Sequence, residues 1–120
     1  MENCATSTEL IVALAGGQVV GAVALAAYGS PYAELATPTE AVFRMLVVDP
    51  AWRGCGVATS LVTECLRRAR QSGCRRVVIS TEAQMTVAHR LYDRLGFLRR
   101  PDRDWSPVEG VDLLVYSVDL

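Results

Sequence analysis

The sequence contains no lysine, since all twelve of its basic residues are arginine. A Walker-type loop needs a lysine to bind nucleotide phosphates, so this kind of site is excluded. The chain also has one histidine, and its four cysteines form no C-x-x-C pair, which argues against a zinc site or a disulfide framework. We therefore predict that the chain binds no metal. We also predict that its cysteines are scattered free thiols, as in proteins of a reducing cytosol.

Long apolar runs and strong charge are lacking as well. The longest apolar run, near residues 19–27, is interrupted by Gly21 and is far too short to span a bilayer. With a net charge of -1, the chain lacks the excess of basic residues that is typical of proteins that bind nucleic acid. The N-terminus has no positively charged leader region. We expect a cytoplasmic protein whose partners are neither nucleic acids nor membranes. The exclusive use of arginine is typical of a GC-rich bacterial genome.

With 120 residues, 51% of them hydrophobic, the chain is predicted to form one domain, residues 1–120, with a core that needs neither disulfides nor metal. Segments rich in Val, Leu, Ile and Ala predict strands, and apolar residues at helical spacing predict helices. The pattern indicates an α/β (α+β) fold. The predicted strands are 9–14, 18–28, 40–48, 75–81, 97–100 and 111–120, and the predicted helices are 57–71 and about 84–95.

A glycine-containing loop joins the third strand to the first helix. The β-branched run before it ends at Asp49, and apolar residues at helical spacing begin at Val57. Gly54 and Gly56 lack a Cβ, so the backbone can turn sharply and approach a ligand. The next helix opens with free amides and the positive end of its dipole, which together favour an anion. The loop is predicted to bind a diphosphate.

A dinucleotide-binding loop is one alternative for this segment. Gly54 and Gly56 lie between a strand and a helix, and Glu82 ends the next strand at about the distance of a ribose-binding acid. The third glycine of that fingerprint is replaced by Thr59, however, and the chain is short for a dehydrogenase with a substrate domain.

Two motifs at a fixed spacing carry a resemblance to a known family. Arg53-Gly54-Cys55-Gly56-Val57-Ala58 has the form Arg/Gln-x-x-Gly-x-Gly/Ala and follows a Val-x-Pro segment. Downstream, Ala88-His89-Arg90-Leu91-Tyr92-Asp93-Arg94-Leu95-Gly96-Phe97 has the form Ala-x-x-Leu-Tyr-x-x-x-Gly-Phe. Through both, the sequence from about Leu10 onward resembles the GNAT superfamily of acyl-CoA N-acyltransferases.

The resemblance implies the element order β-β-β-α-β-α-β-β in a mixed, mostly antiparallel sheet. A splayed central pair of parallel strands is flanked by helices, and the family's usual first strand and first two helices are lacking. The resemblance also implies acetyl-CoA as cosubstrate, with its pantetheine arm between the third and fourth strands, which are expected to separate after the point where the glycine loop begins. The residues implied in coenzyme binding are Leu46, Val47, Val48, Arg53, Gly54, Cys55, Gly56, Val57, Ala58 and Thr59.

The family match also implies catalytic roles. A backbone N–H near Leu46 or Val47 is expected to stabilise the oxyanion of the reaction. Tyr92 is the implied general acid for the departing thiolate, since an ordinary pKa near 10 keeps it protonated. Glu40 or Glu82 is expected to receive the proton of the attacking amine, directly or through water, although a structural role would explain either glutamate.

Three further residues bear on the ligands. Met85 stands where many family members have an asparagine that contacts the pantetheine arm. Tyr32 and Glu34 lie in a proline-containing loop and either line an acceptor pocket or belong to an exposed connection.

These observations predict an N-acetyltransferase in which a primary amine, carried by a small molecule or a protein, attacks acetyl-CoA directly. The alternative is a binding module that holds acyl-CoA without catalysis, alone or with a partner chain. A homodimer would cover the sheet edge that the shortened fold is expected to expose.

Overall fold

The computed structural model describes residues 8–28, 33 and 35–120. The predictions for Tyr32 and Glu34 in the acceptor pocket lie outside these residues, as does Cys4. The same applies to the start of the chain, so the expectation that the family's first strand and helices are lacking stays a prediction.

The described residues fold into one seven-stranded sheet with two helices. The first hairpin turns at Gly16 and Gly17, which have φ of 57° and 80° as the sequence predicts. The strands are β1 (Glu9–Ala15), β2 (Gln18–Ala27), β3 (Glu40–Val48), β4 (Arg76–Glu82), β5 (Leu98–Arg99), β6 (Trp105–Val108) and β7 (Val111–Asp119). The helices are α1 (Val57–Gln71) and α2 (Thr86–Arg94), with short 3-10 turns at Pro50–Trp52 and Pro101–Arg103.

The strands follow the order β1-β2-β3-β4-β7-β5, and β6 also pairs with β7. β3 and β4 run parallel, whereas the other strand pairs of the described chain are antiparallel. This confirms the predicted mixed, mostly antiparallel sheet with a central parallel pair. One element differs from the prediction, because β6 lies between the predicted strands 97–100 and 111–120, where no strand is predicted. Pro107 gives that segment the composition of a loop, yet a residue without an N–H is tolerated in an edge strand.

The parallel pair β3/β4 is short. Its ladder joins only Glu40–Val42 to Arg76–Val78, and the strands are not paired beyond it in the described part of the chain. Met45, farther along β3, has φ of 58°, and the β2/β3 register shifts between Ala22 and Ala24. The strands therefore separate after Val42, earlier than predicted, and an irregular stretch of β3 borders the opening.

The core lies mainly between the sheet and the two helices. The buried face of α1, formed by Leu61, Val62, Cys65 and Ala69, matches the apolar stripe predicted from the sequence. Leu91 and Tyr92 of α2 join the same core cluster. A smaller cluster on the opposite face of the sheet contains Val42 and Val78 together with short side chains from the loop before β3.

The outer face of β1 is uncovered, with Leu10 72% and Leu14 65% exposed. The predicted homodimer, which would cover such a surface, stays a prediction. In the described ranges, no helix is long and apolar enough to cross a bilayer. Cys55 and Cys65 carry free thiols, but the expectation of scattered thiols is wrong for Cys74, which is disulfide-bonded.

Candidate active site

A cavity of about 450 Å³ occupies the opening between β3 and β4. Phe43, Ile79 and Tyr92 line it from the face of the sheet that carries the helices, since all three belong to the main core cluster. Leu35 and Trp105 line it from the opposite face. The cavity therefore runs between the two faces of the sheet at the point where the strands separate.

Tyr92 is the ionisable side chain of α2 that lines this cavity. It is 6% exposed, and its ring packs against Phe43, Phe97 and Tyr116 at centroid distances of 6.0, 5.6 and 5.8 Å. Burial raises the pKa of its hydroxyl to about 12. Tyr92 thus stays protonated over the neutral range and can donate a hydrogen bond at the cavity wall.

Trp105, at the start of β6, is held against β4. Its Nε1 donates a hydrogen bond of 2.9 Å to Oγ of Ser80. Just before it, Asp104 accepts two hydrogen bonds of 2.7 Å from Arg99 and one of 2.9 Å from the backbone N–H of Val115. These contacts fix the indole beside the cavity, so Trp105 lines the candidate site.

Glu40, one of the two predicted proton acceptors, lies in an ion pair at the start of β3. It is 2% exposed and accepts hydrogen bonds from Arg103 and from the N–H of Thr37. Burial raises its pKa, but these hydrogen bonds outweigh that effect and hold the pKa at about 2. A carboxylate of so low a pKa is a weak base, and Glu40 does not line the cavity. The geometry therefore argues against the base prediction and favours a structural role.

Glu82, the other predicted proton acceptor, ends β4 and is partly buried. Its Oε2 accepts a hydrogen bond of 2.5 Å from Gln84, and its backbone carbonyl lies 3.0 Å from Nε2 of His89. It does not line the cavity either. Its role as a base stays a prediction, and His89 contacts β4 rather than the cavity.

The glycine loop lies between β3 and α1, as predicted. Asp49 closes the first turn by accepting a hydrogen bond of 2.9 Å from the N–H of Ala51. Gly54 and Gly56 have φ of 78° and 81°, a region that only glycine enters without strain. Gly56 caps α1, whose first turn has no acidic side chain. The amides of Val57, Ala58 and Thr59 face outward from the helix end with no repelling carboxylate in that turn.

Other implied coenzyme contacts are also open to a ligand. Leu46, Val47 and Val48 lie beyond the β3/β4 ladder, while the other edge of β3 pairs with β2. Arg53 and Cys55 are exposed in the loop. Met85, which stands where many family members have an asparagine, directly precedes α2 and is 51% exposed. It lines the cavity from that position.

Ser80 and Thr81 both line the cavity near the end of β4, and neither is among the site residues predicted from the sequence. A usable signal was present, since two hydroxyl residues follow the apolar run Val77–Ile79 at the end of a strand predicted to be parallel. No group of three or more metal-ligating side chains occurs in the described part of the chain.

Comparison with known proteins gives a consistent result. The family model for the acetyltransferase (GNAT) family matches residues 2–97. The N-alpha-acetyltransferase MAK3 of Arabidopsis thaliana is 44% identical over 55 residues, 46% of this chain and 29% of that protein. The mycothiol acetyltransferase of Cellulomonas flavigena is 33% identical over 107 residues, which cover 82% of this chain and 31% of that protein. The chain thus spans less than a third of the length of these relatives.

Solved structures share the fold at lower sequence identity. A ribosomal-protein-alanine N-acetyltransferase from Brucella melitensis superposes with a TM-score of 0.75 at 21% identity, over 94% of this chain and 69% of that one. An N-acetyltransferase from Thermoplasma acidophilum, solved in complex with coenzyme A, superposes with a TM-score of 0.75 at 15% identity, over 95% and 62%. These neighbours match the described sheet and helices.

Proposed function

Because the chain belongs to the acetyltransferase (GNAT) family, we propose that it transfers an acetyl group from acetyl-CoA to a primary amine. The observation that carries the proposal is the opening of β3 and β4 after Val42 and Val78. One end of β3 leads into the glycine loop, and the buried hydroxyl-bearing ring of Tyr92 lines the opening. A single strand thereby connects an anion-binding loop to a cavity with a proton donor.

The residues present fit acetyl-CoA. The amides of Val57, Ala58 and Thr59 at the start of α1 would bind the diphosphate, together with the loop from Arg53 to Gly56. The free edge of Leu46, Val47 and Val48 would bind the amide-containing pantetheine arm as an added strand does. When bound, acetyl-CoA supplies the activated acetyl group, and the protein supplies position and charge stabilisation.

Two groups of the chain would act on the acetyl group. A backbone N–H of β3, near Leu46 or Val47, would stabilise the negative charge that develops on the carbonyl oxygen. Tyr92 would donate a hydrogen bond to the departing sulfur. Because an ordinary thiol has a pKa of about 8.5, a hydroxyl with a pKa of about 12 is better suited to donating that hydrogen bond than to losing its proton.

The attacking amine must lose a proton, and no carboxylate is among the described residues that line the cavity. We propose that water carries this proton out of the cavity. Glu82, at the end of β4, stays a candidate for the final acceptor. Glu40 is not included in the mechanism, because its ion pair with Arg103 makes it a weak base and it does not line the cavity.

The cavity wall also favours one class of acceptor. On the face away from the helices the apolar side chains Leu35, Trp105 and Leu113 line it beside Ser80, and Arg44 is the charged residue of its lining. A polyamine or other polycation would gain nothing from such a wall, whereas an amine beside an apolar group would bury that group. We propose an apolar primary amine, either a small molecule or the N-terminus of a peptide that begins with an apolar residue. The similarity to an N-alpha-acetyltransferase supports the peptide.

The test combines binding and turnover on one preparation. Titration calorimetry with acetyl-CoA and, separately, NAD would measure binding, and release of the thiol would measure transfer to three amines: an apolar alkylamine, a peptide starting with methionine and leucine, and spermidine. We expect acetyl-CoA binding, no NAD binding, and thiol release with the first two amines. Binding of NAD without acetyl-CoA would contradict the assignment of the glycine loop.

A non-catalytic acyl-CoA-binding module is the second candidate, favoured by the lack of a carboxylate among the described residues that line the cavity. The same experiment separates it from the enzyme. Acetyl-CoA binding without thiol release on any of these amines would favour the module. Thiol release with spermidine alone would support the assignment as an enzyme but contradict the proposed class of acceptor.

A further inference from the structure

Thr81 carries a buried hydroxyl without a partner. The residue is 5% exposed, and its Oγ1, which is fully shielded from solvent, has no hydrogen-bond partner among the described residues. Ser117, buried to a similar degree, accepts a hydrogen bond of 3.3 Å from Arg100. Because buried polar side chains are nearly always paired, the hydroxyl of Thr81 calls for an explanation.

The position of Thr81 in β4 supplies one. The ladder between β3 and β4 ends at Val78, so Thr81 lies in the open part of the strand and lines the cavity. On its other edge, β4 stays paired with β7, where Thr81 is opposite Leu114. The backbone of Thr81 is therefore fixed by the sheet, while its side chain borders the space left between the strands.

Alternation along the strand assigns Thr81 to a face. Val77 and Ile79 belong to the core cluster that contains Tyr92, and Thr81 follows them with the same period of two. Ser80 points to the opposite face, where it contacts Trp105. Thr81 thus lies on the side of the cavity that holds Tyr92, away from the wall proposed for the acceptor.

A ligand that reaches from the first turn of α1 to Tyr92 must pass this side. If the proposed function holds, that ligand is the pantetheine arm of acetyl-CoA, whose polar groups are two amides. A hydroxyl both donates and accepts hydrogen bonds, so it can pair with an amide in either orientation. Rotation about χ1 moves Oγ1 between the staggered positions around Cβ, which allows it to turn towards a ligand in the cavity.

We propose that Thr81 is a positioning residue that binds an amide of the pantetheine arm through its hydroxyl. This inference rests on the proposed function. Valine has the shape of threonine and prefers strands, so an apolar residue would suit this position in the ligand-free protein. The hydroxyl of Thr81 is therefore explained by the hydrogen bond that it would form when coenzyme A is bound.

The test compares Thr81→Val and Thr81→Ser with the unmodified chain, using calorimetry with two probes, coenzyme A and 3′,5′-ADP. The second probe has the nucleotide end of coenzyme A but lacks the arm. We expect Thr81→Val to weaken coenzyme A binding by about fivefold to tenfold, as loss of one neutral hydrogen bond would, and to leave 3′,5′-ADP binding unchanged. Thr81→Ser should retain most of the affinity. Thr63→Val, on the exposed face of α1, is the matched control and should change neither probe's affinity.

A second measurement distinguishes this role from a structural one. Without ligand, Thr81→Val should melt at the same temperature as the unmodified chain or higher, because it removes an unpaired buried hydroxyl. Coenzyme A affinity within twofold of the unmodified chain, or an equal loss for both probes, would overturn the inference and leave the proposed function intact. An unmodified chain that binds neither probe would overturn the proposed function, and this inference with it.

Discussion

The guanidinium of Arg103 binds both carboxylate oxygens of Glu40 across 63 positions of the sequence, with Nη1 2.9 Å from Oε2 and Nη2 2.9 Å from Oε1. Nη2 also donates a hydrogen bond of 3.0 Å to the carbonyl of Leu35, which lines the cavity. This pair joins the start of β3, the loop before it and the turn before β6. It therefore holds two walls of the candidate site in place.

The first prediction concerns the stability that this pair provides. Glu40→Gln should lower the free energy of unfolding at pH 7 by about 2–4 kcal/mol, because Arg103 would lose its buried anionic partner. Chemical denaturation followed by tryptophan fluorescence measures this change. Glu64→Gln is the matched control, since Glu64 pairs with Arg67 and Arg68 on the exposed surface of α1 and should change stability much less. Equal effects of the two substitutions would contradict the assigned role of Glu40.

The second prediction is the pH dependence of the same stability. The pKa of Glu40 lies near 2 in the folded chain and near 4.5 without these contacts, so its contribution is fully present above pH 4.5. It is lost as the pH falls through 4.5 towards 2. Unfolding midpoints measured from pH 7 to pH 2 should decline over that window, and Glu40→Gln should flatten part of the decline. If the unfolding midpoint of Glu40→Gln declined between pH 4.5 and 2 as steeply as that of the unmodified chain, other groups would dominate the acid dependence.

The third prediction concerns Tyr92. Tyr92→Phe should lower kcat by about 10²-fold and leave the affinity for acetyl-CoA nearly unchanged, because the hydroxyl acts on the departing sulfur. Thiol-release kinetics and calorimetry measure the two effects. Tyr116→Phe is the matched control, as this ring lies 5.8 Å from Tyr92 and does not line the cavity. Because the pKa of Tyr92 is raised to about 12, its ionisation should not reduce kcat below about pH 11. A similar loss in both variants would indicate a packing effect.

The fourth prediction concerns the approach of α1 to β2. A Cβ added to Gly21 would lie 2.7 Å from Cγ1 of Val57 and 3.1 Å from the backbone oxygen of Val47. Gly21→Ala should therefore displace the first turn of α1, lower stability by about 1–3 kcal/mol and raise the KM for acetyl-CoA. Adding Val57→Ala removes the closest contact and should restore part of both losses. An unimpaired Gly21→Ala variant would show that the helix can shift without affecting the coenzyme site.

The fifth prediction concerns Trp105. Trp105→Ala should raise the KM for an apolar amine about tenfold or more, while acetyl-CoA affinity stays within twofold, because the indole lies on the acceptor wall. Trp105→Phe keeps an aromatic ring but loses the hydrogen bond to Ser80. Its KM for the amine should therefore lie between those of the unmodified chain and Trp105→Ala. Steady-state kinetics with a methionine-leucine peptide measures the change. A loss of acetyl-CoA affinity in Trp105→Ala would place the indole on the donor side instead.

Local patterns were sufficient for much of the fold. The hairpin at Gly16 and Gly17 and the stripe that α1 buries depend on spacing within a few residues, so they could be predicted from the sequence. β6 could not, because its pairing depends on β7 and its composition, with Pro107, is that of a loop. The point at which β3 and β4 separate is fixed by the end of their ladder and by the irregular backbone at Met45. Neither feature has a local sequence pattern, so this point could not be predicted.

The site was less predictable than the fold for the same reason. Tyr92 lies on the inward stripe of a helix, which periodicity reveals. The pairing of Glu40 with Arg103 joins residues distant in sequence, so local patterns do not reveal that this predicted proton acceptor is held in an ion pair. Ser80 and Thr81 are cavity residues only because β4 continues past the end of its pairing with β3.

The lining of the cavity from both faces of the sheet has a kinetic consequence. Tyr92 borders it from the side of the helices and Trp105 from the other, so in the proposed transfer the two substrates would approach from opposite directions and be present together. Neither product then has to leave before the second substrate arrives. Initial rates measured at several fixed amine concentrations should give intersecting double-reciprocal lines, the signature of a ternary complex.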